Sequence, residues 1–346
     1  MLIFTIALLG TLIPTTLYIL LVWWLDRYEK EPIWLLILAF LWGAVPAAIL
    51  SVIFEVILEL PVSALGGESL LTELVGASLI APLVEETFKG VALLGLLFVF
   101  RREFDGVLDG IIYGAMIGFG FAFSEDLFAY FLPILSEEGL GAGVVNILMR
   151  SIAFGFNHAF WTAIIGATLG YARLSRDRSK SLLVPIAGWM LAVTLHGIHN
   201  AGATLVEQTF CLSLLMSFLV AWGGVFILLV VSYLMLRRQS RWIARGLIEE
   251  VRRGALTYPE FQLLRSASKR SRLRWRAWKQ GGRQAYRAVG RYYQCATELA
   301  FKKHHLRTLG DEGGNLAEIQ RLRQQLAELR AQAWPWLGLR SLANVV

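Results

Sequence analysis

Seven apolar runs, each of about 20 residues or more, fill the first two-thirds of this chain and constrain its fold more than any other feature. They lie near residues 2–25, 33–56, 73–100, 107–132, 144–171, 182–206 and 211–236. Runs of that length are expected to cross a bilayer as helices. Composition agrees: 17% of residues are charged and the mean hydropathy is +0.56, where soluble domains carry about 25% charge. The expected class is all-α, a polytopic bundle of about seven transmembrane helices.

Lys and Arg in the short loops set the expected orientation. Loop 26–32 holds Arg27 and Lys30, loop 101–106 holds Arg101 and Arg102, and loop 172–181 holds Arg173, Arg176, Arg178 and Lys180. The loops near 57–72, 133–143 and 207–210 hold none. With seven spans every basic loop falls on one side, placing the N-terminus outside and the C-terminal tail in the cytoplasm, in a plasma-membrane protein. The first run has no basic n-region and no small-residue cleavage site, so it reads as a span and not as a cleaved signal. Cys211 and Cys295 fall on opposite sides, which disfavours a disulfide between them.

The chain divides by charge into a membrane domain, 1–236, and a tail, 237–346. The tail carries 23 Lys plus Arg against 8 Asp plus Glu, while the membrane part carries 10 against 18. A basic segment next to a span is expected to meet anionic lipid. Stretch 265–279, with its arginines and Trp275 and Trp278, has the composition of a nucleic-acid surface, but no recognised motif accompanies it. Ile319, Leu322, Leu326, Leu329 and Ala333 have helical spacing over too few heptads for a coiled coil, so a helix packed on its neighbours is expected. Gly281-Gly282 and the Gly310–Gly314 stretch read as breaks between tail helices.

Polar groups within the apolar runs are costly and mark functional sites. The third run carries Glu85, Glu86 and Lys89, at spacings of four and three that bring both carboxylates to the lysine, with Pro82 before them as an expected kink. The fourth carries Glu125 and Asp126. The fifth carries Arg150, Asn157, His158 and Thr162, with Arg150, Phe154 and His158 expected on one stripe. The sixth carries His196, His199 and Asn200. At about 1.5 Å rise per residue, Glu85, His158 and His196 reach about the same depth, roughly 20–22 Å from the cytoplasmic ends. Glu125 and Asn200 fall about one turn further out. Arg150 is expected to snorkel or form an ion pair. Asp109, Glu55 and Glu59, near run ends, are expected to be solvated, and Phe119, Phe121 and Phe123 to pack.

A carboxylate beside a His can take a proton from water, and a second His with an Asn can stabilise an oxyanion, so the set suits amide hydrolysis. The same residues suit zinc, with Glu85 or Glu86, His158 and His196 as three ligands. There is no His-Glu-x-x-His motif and no Gly-x-Ser-x-Gly elbow. A proton-coupled transporter or channel would also use intramembrane Glu and His, but no inverted repeat is visible. A haem site on His158, His196 and His199 is a weaker reading still.

Glu85-Glu86-Thr-Phe-Lys89, Phe154-Gly-Phe-Asn-His158 and His196-Gly-Ile-His-Asn200 together resemble the motifs of the PrsW family of intramembrane proteases, within the wider group of CaaX-type endopeptidases. The segment Gly120–Asp126 with Tyr130, and the Asp26 to Glu31-Pro32 loop, extend the resemblance over roughly 1–236. Lys89 stands four residues after Glu85, where the CaaX-type motif has Arg one place later, and this favours the PrsW branch. Asp126 departs from the Asn that the family more often has. The resemblance implies that Glu85, Glu86 and His158 activate water. His196 and Asn200 would then stabilise the oxyanion, with Lys89, Glu125, Asp126, Arg150 and Phe154 in support. It implies a membrane-bound protein substrate, of which an anti-sigma factor is the family's example.

Overall fold

The computed structural model describes residues 1–28, 30–67, 69–101, 103–311 and 314–338. Arg102, counted among the loop cations, lies outside the described residues. All regular structure among these is helical. We label α1 Leu2–Leu25, α2 Ile33–Gly66, α3 70–99, α4 Val107–Glu137, α5 140–153, α6 Asn157–Leu174, α7 Arg178–Thr204, α8 Leu212–Arg252, α9 Tyr258–Leu264, α10 Ala267–Leu309 and α11 Asn315–Ala333. Two compact units divide the chain, one comprising Met1–Asp26 and Glu31–Ser232, the other Arg27–Lys30 and Tyr233–Val346.

Among the described residues, six helical stretches are long and apolar enough to cross a membrane by length and composition: α1, α2, α4, α5 with α6, α7 and α8. The remaining expected span, 73–100, is α3, which is helical throughout but buries Glu85, Glu86 and Lys89 at its centre. Exposed Leu, Ile and Trp cover α1, α2, α7 and α8, as lipid-facing surfaces require. The first unit is therefore a polytopic membrane bundle.

The central helix is α4, buried continuously from Leu108 to Phe121. Little hydrophobic gain accompanies helix association in lipid, so close packing of small residues has to supply it. Gly110, Gly114 and Gly118 form one stripe on α4 against α6. A Cβ at Gly110 would lie 1.9 Å from the Gly166 carbonyl oxygen, and one at Gly118 would lie 2.3 Å from that of His158. Any larger residue there would push His158 away from α4.

Four π-helical turns interrupt the helices: Gly43–Ala47, Gly76–Ile80, Asp126–Phe131 and Leu148–Ala153. Such turns widen a helix locally and are common at functional sites. Beside Pro82, where a kink is expected, the helix changes from a π turn at Gly76–Ile80 to regular α-helix from Ala81. Asp109 departs from expectation. It is buried and accepts the Asp105 backbone N–H at 3.0 Å, because residues 103–106 fold over the start of α4. Glu55 and Glu59 keep partial exposure. Near the start of α2, Asp26 accepts the Glu31 backbone N–H at 2.8 Å and Tyr113 donates to the Glu31 carboxylate.

The second unit is built on α10, which bends at Gly281-Gly282, where the dihedrals leave the helical range. Ile319, Leu322, Leu326, Leu329 and Ala333 of α11 are buried in one core with Tyr292, Leu299 and Phe301 of α10, as a packed helix requires. Gly310 and Gly314 take positive φ between α10 and α11. Cys211 and Cys295 are free.

Candidate active site

The site begins with the spacing on α3. Glu85 and Glu86 reach one lysine, and all three side chains are buried. Lys89 Nζ lies 3.0 Å from Glu85 Oε2, 2.8 Å from Glu86 Oε1 and 3.0 Å from His158 Nδ1. An ammonium has three donors and no acceptor, so these contacts use its full capacity. The same Nζ lies 3.7 Å from the centre of the Phe121 ring, which also packs on His158, giving α4 a share in holding it.

The two carboxylates are unlike. Glu86 accepts from Lys89 and, at 3.2 Å, from Thr162, and its Oε1 lies 3.2 Å from His196 Nδ1. Glu85 accepts from Lys89 and lies 3.8 Å from His158 Nδ1. Glu86 is therefore the anchored carboxylate and Glu85 the one with acceptor capacity left. His196 lies flat on Trp161, with ring centres 3.9 Å apart and planes 14° apart. Trp161 also meets His158 edge-on at 5.0 Å, so one indole orients both imidazoles. Trp161 was not picked out from sequence. Its place one turn after His158 was the available signal.

On the other side of His158, Nε2 lies 2.8 Å from Glu125 Oε2. Arg150 grips this end of α4, bonding Glu125 at 2.8 Å and Asp126 at 2.6 Å while its guanidinium stacks on Tyr130. Arg150 thus forms ion pairs. The stripe expected from Arg150 through Phe154 to His158 does not form. The π turn Leu148–Ala153 and the irregular residues 154–156 separate α5 from α6, and Phe154 turns its ring onto His199 at 4.7 Å. His199 Nδ1 lies 2.7 Å from the Ser217 hydroxyl, away from the cluster.

A cavity of about 50 Å3 adjoins this end, lined by Glu125, Arg150, Asn157, His158, His199 and Asn200 among others. That is room for a water or two. Asn200, expected beside His196 at an oxyanion, lines this cavity and donates its amide to the Ala77 carbonyl at 2.8 Å. The structure thus gathers Glu85, Glu86, Lys89, His158 and His196 into one buried cluster. It joins Glu125, Asp126 and Arg150 to that cluster through His158, and leaves Asn200 and Phe154 at its edge.

Glu85, Glu86, His158 and His196 each offer a ligand atom within 4.8 Å of the others. Two imidazoles and a carboxylate are ordinary zinc donors, and the set fits a small divalent cation by type and spacing. Lys89 Nζ holds the central position, so a metal ion and this ammonium compete for the same acceptors.

Residues 31–236 match the family described as PrsW family intramembrane metalloprotease. Protease PrsW of Oceanobacillus iheyensis is 29% identical over 171 residues, covering 49% of this chain and 70% of the relative. Protease PrsW of Bacillus subtilis is 28% identical over 167 residues, covering 46% and 68%. Protease PrsW of Geobacillus kaustophilus is 28% identical over 177 residues, covering 51% and 69%. No solved structure matches the chain.

Proposed function

The chain belongs to the PrsW family of intramembrane metalloproteases and is a multi-pass membrane protease, and on that premise we propose that its catalytic centre is the Glu85–Glu86–Lys89–His158–His196 cluster. The observation that carries this reading is the convergence of two carboxylates and two imidazoles from three helices on one buried point. Burial at that cost needs a return in function.

Water reaches the cluster from the cavity beside His158. Glu85, with acceptor capacity to spare, and His158 Nδ1 take its proton as the oxygen attacks the scissile carbonyl. Lys89 turns one of its hydrogens away from His158 to admit the water. His196 shares its Nδ1 hydrogen between Glu86 and the oxyanion, and Asn200 exchanges the Ala77 carbonyl for the substrate oxygen. The proton held by Glu85 then passes to the departing amine nitrogen. Where a zinc ion is bound, Glu85, His158 and His196 would hold it, and it would act as a Lewis acid toward the scissile carbonyl.

The substrate on this reading is a single-span membrane protein, with a regulatory protein of the anti-sigma-factor kind as the family's precedent. The topology read from the loops puts the N-terminus outside. The cut then falls near the extracytoplasmic end of the substrate span. In the tail, Trp275 and Trp278 are exposed and stacked 4.9 Å apart, and exposed Arg272, Arg276 and Lys279 flank them. This face suits anionic lipid headgroups.

The test is reconstitution of the full chain in liposomes with a panel of single-span proteins, followed by sequencing of the products. A cut within the outer third of the substrate span is expected. Intact substrates throughout, or a cut at the cytoplasmic end, would contradict the reading.

A further inference from the structure

We propose that Glu125 is a positioning residue for His158, held in place by Arg150, and that it fixes which nitrogen of the imidazole faces the reaction. This rests on His158 belonging to the catalytic centre. It adds a third carboxylate, outside the Glu85-Glu86 pair, with a role of its own.

The geometry is a chain of four groups on four helices. Lys89 Nζ sits 3.0 Å from His158 Nδ1, and an ammonium can only donate, so Nδ1 presents its lone pair inward. The neutral ring then carries its hydrogen on Nε2, which lies 2.8 Å from Glu125 Oε2. A carboxylate bonded to the far nitrogen of a working imidazole fixes its tautomer and its ring plane, whether the near nitrogen takes a proton or binds a metal. Glu125 is itself held. Arg150 bonds the same Oε2 at 2.8 Å and ties Asp126 at 2.6 Å, so the carboxylate cannot swing toward the cavity it lines. The π turn Asp126–Phe131 begins immediately after Glu125, and another, Leu148–Ala153, contains Arg150. Regular helix is given up on both elements where these two side chains meet.

Glu86 stands in a similar relation to His196, with Oε1 3.2 Å from Nδ1. Each imidazole therefore has a carboxylate of its own. His158 gives its Nε2 side to its carboxylate and His196 its Nδ1 side.

The test uses the full chain in detergent micelles, labelled with nitrogen-15 at histidine. The His158 resonances are assigned by comparison with His158→Gln. Wild type is expected to show the Nε2–H tautomer at His158; in Glu125→Ala only Lys89 is left to hold it, so part of the population is expected to shift to Nδ1–H, while Glu125→Gln keeps the wild-type tautomer, because the amide oxygen still accepts from Nε2. In cleavage assays Glu125→Ala is expected to lower kcat by about 100-fold, as loss of an outer carboxylate does, with KM within about twofold, and Glu125→Gln to recover most of that loss. Observation of the Nδ1–H tautomer in wild type would overturn the proposal. So would an unchanged kcat in Glu125→Ala, or a Glu125→Gln no better than alanine. The tautomer measurement needs no cleavage, so it remains decisive if wild type proves to cut none of the substrates tried.

Discussion

The two units of this protein both bury carboxylates, and the contrast between them shows what separates a site from a strut. In the second unit Glu260 accepts two bonds from Arg330, at 2.7 and 2.9 Å, and one from the Tyr292 hydroxyl, and it closes a capping box with Thr257. Glu250 is likewise taken up by Lys303 and Arg323. Both of these acids are matched by cations. In the first unit two carboxylates share one lysine, two imidazoles join them, and Glu85 keeps acceptor capacity. A buried ion pair alone is weak evidence of anything beyond structure. A shared ammonium among unmatched acceptors, next to a cavity, is an arrangement chemistry can use.

That contrast can be broken by substitution. Glu86→Ala is expected to lower the cleavage rate by about 100-fold, the scale of a lost carboxylate behind a working imidazole, while the protein still folds. Initial rates with a single-span substrate and a thermal unfolding scan measure both. A folded Glu86→Ala protein that cleaves normally would make Glu86 a strut like Glu260.

Gly118→Val tests whether packing delivers His158 to the cluster. A Cβ there meets the His158 carbonyl oxygen, and the overpacking should cost about 3 kcal/mol. Denaturant unfolding reports the loss, and activity should fall with it. In the other unit, Glu260→Ala leaves the Tyr292 hydroxyl and Arg330 without an acceptor. It should cost about 2 kcal/mol of that unit's stability, with cleavage changed less than about twofold. A large fall in activity with stability intact would erase the distinction between the units.

The smallest effect is on pH. Burial alone would raise Glu260, but the bonds from Arg330 and Thr257 outweigh it and hold the carboxyl below its ordinary range. A depressed folded value adds stability above the unfolded carboxylate value of about 4.3, lost as pH falls through the folded value. Thermal unfolding of the second unit should therefore weaken on acidification below about pH 4. Glu260→Gln should flatten that dependence.

Much of this was legible in the sequence, and the parts that were not have a common cause. Helical spacing placed Glu85 and Glu86 on Lys89, and rise per residue set Glu85, His158 and His196 at one depth, because both depend on a single helix at a time. Spacing does not say which helices face each other. The bonds from Lys89 to His158 and from His158 to Glu125 join residues 69 and 33 apart in sequence, and only the packing of α3, α4 and α6 makes them. The Gly110, Gly114 and Gly118 stripe was a readable sign of that packing. The break at 154–156 defeated the expected Arg150–His158 stripe, since periodicity assumes an unbroken helix. The acceptor of Asn200, a backbone carbonyl at the π turn of α3, was unreadable for a similar reason.

The most direct measurement is the rate at which the reconstituted full chain cuts a single-span substrate, compared among wild type, Glu85→Ala and His158→Ala at equal folded fraction. The account predicts cleavage by wild type and none detectable in either variant. Cleavage that persists in both would place the chemistry elsewhere in the molecule.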